Sequence, residues 1–241
     1  MSSTIKRNKY EIDMCNGSLM DKLISFSLPL MLSGILQLLF NAVDIIVVGR
    51  FTGRQALAAV GSTTALINTF VNLFIGISLG ANVLAARFFA AKKEREMSET
   101  VHTAIAFALV SGIGMAFIGV AFARTALELM GTPDDVIQLS ALYMRLYFCG
   151  MPFFMLYNYG AAILRAIGDT KRPLLFLVIA GVANVALNLL LVIVFHLGVA
   201  GVAIGTIISQ MISSILVLRC LCKAEASYRL HFSKLSIKGV Y

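Results

Sequence analysis

Asp44 is the only charged residue within the apolar stretch Leu23–Val48. A carboxylate inside a bilayer costs about 2.5–3.5 kcal/mol on insertion scales, so its presence calls for a compensating partner or a use. Ser33, Gln37, Asn41 and Asp44 follow i, i+4, i+8, i+11 spacing, which draws a polar stripe along one face of a helix. Two later apolar stretches carry matching groups: Asn184 and Asn188 sit one turn apart, and Thr206, Gln210 and Ser213 follow. Interhelical hydrogen bonds worth about 0.6–2 kcal/mol each would account for amides and hydroxyls alone; the aspartate tips the reading toward function. One carboxylate with amide and hydroxyl oxygens is a hard-oxygen set. It suits a small cation or a proton held on the carboxyl, and the residues do not choose between Na+ and H+.

Other residues define what surrounds that set. Pro29 removes a backbone hydrogen bond about four turns below Asp44, and a hinge and a static bend are the two readings of it. Arg145, within Tyr143-Met-Arg-Leu-Tyr147, is a second charge in an apolar stretch; it is expected to pair inside the protein or to line a cavity. The neighbouring tyrosines read as interface anchors. Cys15, Cys149, Cys220 and Cys222 form no C-x-x-C pair and no metal-ligand spacing with histidine, so they are assigned no chemistry. No G-x-x-x-x-G-K-[ST], H-E-x-x-H or G-x-S-x-G occurs, and His102, His196 and His231 are scattered. Neither an enzyme nor a nucleotide-driven pump is expected, no cofactor is implied, and no metal site is expected beyond Na+ at the polar set.

These residues need a membrane scaffold to position them. The chain of 241 residues is 59% hydrophobic and only 13% charged, with mean hydropathy +0.88, whereas soluble domains carry about 25% charged residues. Six apolar stretches are long enough to span a bilayer: Leu23–Val48, Ala65–Phe89, Val101–Ala123, Val136–Ile163, Pro173–Phe195 and Val199–Leu221. An all-α polytopic helix bundle follows, since bilayer interiors leave backbone groups no water to bind. The pairs Gly76/Gly80 and Gly201/Gly205 predict close helix packing. Sixteen of the twenty lysines and arginines fall on the side of the N-terminus and three on the other, which predicts an N-in/C-in topology. The net charge of +8 is then a topology signal, and nucleic acid is not an expected partner.

The sequence resembles the multidrug and toxic compound extrusion (MATE) family. Two stretches carry the resemblance: Gln37-Leu-Leu-Phe-Asn-Ala-Val-Asp-Ile-Ile-Val-Val-Gly49 with Ala58-Ala-Val-Gly61, and Arg165-Ala-Ile-Gly-Asp-Thr-Lys-Arg-Pro173 followed by Asn184, Asn188, Gly198-Val-Ala-Gly201 and Thr206-Ile-Ile-Ser-Gln210. The resemblance implies that Asp44, Asn184, Asn188 and Thr206 form a cation- or proton-coupling site; Gln37, Asn41, Gln210 and Arg145, polar or charged within the spans, are the cavity-lining candidates. Some members are acidic where this chain has Asn188, which leaves fewer fixed charges here.

It also implies alternating access in a transporter of two similar six-helix lobes, exporting small, cationic or amphiphilic molecules in exchange for Na+ or H+. This chain has the length of the first lobe. A cytoplasmic segment (1–22) is expected to precede the lobe (23–222), and a cytoplasmic tail resembling the inter-lobe connector (223–241) to follow it. A missing C-terminal lobe or a second copy of the chain would then complete the cavity in a bacterial inner membrane. Two rival readings are a flippase for lipid-linked precursors within the wider superfamily and a non-transporting membrane subunit.

Overall fold

A computed structural model describes residues 19–224 and 228–231. Every regular element in it is helical: α1 Leu19–Phe51, α2 Arg54–Ala90, α3 Glu94–Leu129, α4 Asp134–Cys149, α5 Met151–Ala166, α6 Lys171–Leu189, which continues as a π-helical turn over Leu190–Val194, and α7 Gly198–Cys222. Five helices are long and apolar enough to cross a membrane, and six spans result if the bent pair α4–α5 counts as one. Large side chains such as Leu38 and Phe117 stand more than two-thirds exposed, as expected where lipid replaces a protein neighbour.

The helices outrun the predicted spans because hydropathy marks only the part inside hydrocarbon. α2 starts at Arg54 rather than Ala65, and α3 runs from Glu94 to Leu129 rather than from Val101 to Ala123. The extra turns of α3 are polar, and Lys93–Glu96, Arg95–Glu99 and Arg124–Glu128 pair along them at i, i+3 or i, i+4.

The fourth predicted span, Val136–Ile163, is two helices bent by 45° around Gly150. Pro152 lies in the first turn of α5, where its missing N–H is harmless but where an uninterrupted helix would be broken. A neighbour exploits the bend: a Cβ on Gly112 of α3 would come 2.6 Å from the Pro152 Cα. Beyond the bend α5 is the core of the bundle. Every residue from Met155 to Leu164 is buried, against α2, α3 and α7.

Of the two glycine pairs, one packs and one does not. A Cβ on Gly201 would come 3.2 Å from Leu191, and one on Gly205 would come 2.2 Å from Asn188 Oδ1. Gly76 and Gly80 meet no atom within 4 Å, so the expected packing at that pair is absent within this lobe. Spacing reveals that a helix could be approached closely; it does not reveal whether a neighbour stands there.

Candidate functional site

The site forms where α1, α6 and α7 meet. Gly181 of α6 leaves room for the Phe40 ring, and an added Cβ would lie only 1.9 Å from it. That contact sets the register of α1 on α6. One turn further along α1 comes Asp44, and two turns further along α6 comes Asn188. The Asn188 amide donates to Asp44 Oδ1 at 2.5 Å and to Asn184 Oδ1 at 3.3 Å. Asn184 donates in turn to Thr206 Oγ1 at 3.3 Å, and the Thr206 hydroxyl donates to the Val202 carbonyl. Asp44 is 9% exposed, Asn184 4% and Asn188 fully buried. Gly205, one residue before Thr206, lets α7 approach close enough to close this chain of bonds.

The structure thus brings Asp44, Asn184, Asn188 and Thr206 into one hydrogen-bonded cluster spread over three helices. One buried oxygen in it, Asn188 Oδ1, has no donor among the described residues. A buried acceptor left unpaired costs about 1–3 kcal/mol, so the arrangement favours something with a positive charge or a proton to give. With the Asp44 carboxylate alongside, the oxygens present fit a small hard cation or a hydron. Among the described residues no group of three or more His, Cys, Asp or Glu side chains could hold a transition metal.

The remaining candidates are placed differently. Gln37 and Asn41 stand exposed at the edge of the buried face of α1, and Ser33 turns back to donate to the Pro29 carbonyl at 2.8 Å. The polar stripe therefore splits: Asp44 faces the lobe, the two amides face out of it. Pro29 is buried, and α1 runs through it without a break. Gln210 lines a small cleft between α7 and the α4–α5 bend, together with Tyr147, Phe154 and Thr206. Arg145 is exposed and makes no hydrogen bond or ion pair among the described residues, which removes the expected pairing inside this lobe and leaves the cavity-lining reading. It shares the outward face of α4 with Leu142 and Cys149.

Tyr143 and Tyr147, read from the sequence as interface anchors, are placed inside the lobe instead. Tyr143 is buried and Tyr147 half-buried, both on the inward face of α4, and Tyr147 lines the cleft shared with Thr206 and Gln210. Their i, i+4 spacing was the available signal. Of the cysteines, Cys149 is exposed and Cys220 and Cys222 are half-buried, all as free thiols; Cys15 lies outside the described residues.

The profile of the MatE family matches residues 29–190, which contain Asp44, Asn184 and Asn188. The chain is 36% identical over 213 residues to the probable multidrug resistance protein YoeA of Bacillus subtilis, covering 87% of this chain and 46% of that protein. It is 30% identical over 201 residues to the probable multidrug resistance protein YpnP of the same organism, covering 83% and 45%. A solved structure, described as the outward-facing conformation of a multidrug resistance MATE family transporter, superposes with a TM-score of 0.87 at 22% identity, over 97% of this chain and 52% of that one. The chain spans about half the length of the relatives it matches. It belongs to the MATE family of transporters and corresponds to the N-terminal half of such a protein.

Proposed function

We propose that this lobe carries the cation-coupling site of a drug exporter, and that Asp44, Asn184, Asn188 and Thr206 form it. One observation supports this reading above the others: a buried carboxylate shared by three helices, with an orphaned amide oxygen beside it. In the captured state the Asn188 amide occupies one lone pair of Asp44. An arriving Na+ or H+ competes for that carboxylate, and its capture frees α1 from α6. Coupling follows because only a change in relative affinity for two conformations shifts their balance.

The exchange is then an alternating-access cycle, N-in and C-in, in which the cation and an amphiphilic or cationic drug bias α1 oppositely. Pro29 is the proposed hinge. The two related structures described as MATE in the bent and in the straight conformation superpose on this lobe almost equally well, with TM-scores of 0.85 and 0.83. The amides that leave the lobe on α1, Gln37 and Asn41, and Gln210 in the cleft would line the drug cavity. Completion of that cavity requires a second lobe, supplied by further chain or by a second copy.

The test is dye efflux from cells carrying the chain together with whatever completes it, repeated with sodium replaced and with the proton gradient collapsed. Asp44→Asn keeps the hydrogen bonds of the cluster but removes the charge, and is expected to abolish coupled efflux at normal expression. Efflux at the wild-type rate from that variant would refute the assignment.

A further inference from the structure

At the end of the bundle where α3 begins and α7 ends, four residues after α7 fold back onto the lobe. Tyr228 and Leu230 are each only 2% exposed, although they follow the last helix. The Leu230 N–H donates to the Leu221 carbonyl at 3.1 Å, so the segment is tied to the end of α7. The His231 N–H donates to His102 Nε2 at 3.0 Å, so it is also tied to α3. The two imidazole rings lie parallel, their planes 2° apart and their centroids 6.3 Å apart.

His102 is built for this contact. It is 4% exposed, and its Nδ1 stands 2.6 Å from the Ser98 carbonyl. A carbonyl can only accept, so Nδ1 carries the proton and Nε2 keeps its lone pair for the His231 amide. A buried histidine with one nitrogen donating to its own helix and the other reserved for a backbone N–H has no role in the cation cluster. Its partner is the segment that leaves the lobe.

We propose that Tyr228–His231 is an anchoring strap that pins the chain leaving α7 across to α3. Any chain continuing to a second lobe then pivots from His231 at the edge of α3, not from Cys222 at the end of α7. The pivot rests on the two-lobe reading above; the strap itself does not.

Hydrogen exchange on the full chain in lipid nanodiscs tests it through the Leu230 amide. His231→Pro removes the N–H that His102 accepts and leaves α3 untouched, whereas His231→Ala keeps that N–H. Leu230 is expected to exchange at least about tenfold faster in His231→Pro than in wild type, with His231→Ala close to wild type. In α3, His102→Gln retains an acceptor and should keep the protection; His102→Lys offers donors only and should lose it. Exchange at Leu230 that is already unprotected in wild type, or that is unmoved by His231→Pro, overturns the strap. Protection that behaves as expected in a protein without Asp44-dependent efflux refutes the transport reading and leaves the strap standing.

Discussion

At the scale of single residues, the cluster ranks its members by what each holds. Asn188 offers the orphaned Oδ1 beside the Asp44 carboxylate, and a polar contact to a charged group contributes about 1.5–3 kcal/mol. Asn188→Leu should therefore weaken cation binding about ten- to hundredfold, read as the sodium or proton concentration needed for half-maximal efflux. Thr206 accepts from Asn184, and Asn184 accepts from the Asn188 amide that holds Asp44. Thr206→Val should cost about 0.6 kcal/mol, roughly threefold in the same measurement. An effect of Thr206→Val equal to that of Asn188→Leu would mean that the cation binds the hydroxyl directly. Gly205 belongs to this scale too: Gly205→Ala sets a methyl 2.2 Å from Asn188 Oδ1, so the Asn188 side chain must move off the position from which its Nδ2 donates to Asp44. Its efflux defect should match that of Asn188→Leu, with the lobe still folded.

At the scale of elements, helix contacts are set by where a glycine faces a bulky side chain. Phe148 of α4 lies against Gly119 of α3, and a Cβ there would come 2.1 Å from the ring. Overpacking of this kind costs about 1–3 kcal/mol. Gly119→Ala should lower the thermal midpoint of the lobe in detergent, while Gly114→Ala, where nothing stands within 4 Å, should hold or raise it. Equal midpoints would show that Phe148 can swing away without loss. The same pattern explains what the sequence makes legible. Six apolar stretches and a membrane carboxylate are visible because period and cost are local properties. The break at Gly150 and the extension of α3 to Glu94 are harder to see, since the first depends on α3 receiving the bend and the second on helix propensity outside the hydrocarbon. Asp44, Asn184, Asn188 and Thr206 were findable because each is a polar group in an apolar run. The outward turn of Arg145 was not, because a charge in such a run announces its cost and not its direction.

At the scale of the whole molecule, burial is uneven in a way that no single helix accounts for. In the most apolar window of α7, 44% of residues are buried; in those of α1 and α2 the share is 11% each. α1 and α2 also touch each other little, and along them Gly34, Gly61, Gly76 and Gly80 all face open space. Lipid alone would cover such a surface without any need for glycine, which costs about 1 kcal/mol relative to alanine in a helix. Close approach of another helix gives those glycines a use. If that helix belongs to a second lobe, Gly76→Leu with Gly80→Leu should not lower the thermal midpoint of the isolated lobe, since no atom of the lobe is displaced and leucine is the better helix former. The same pair should sharply reduce efflux once the second lobe is present, because two leucines would hold the lobes apart along α2. A loss of midpoint in the isolated lobe would place the glycines in its own core. Undiminished efflux would assign this face to lipid, and the second lobe would have to dock elsewhere.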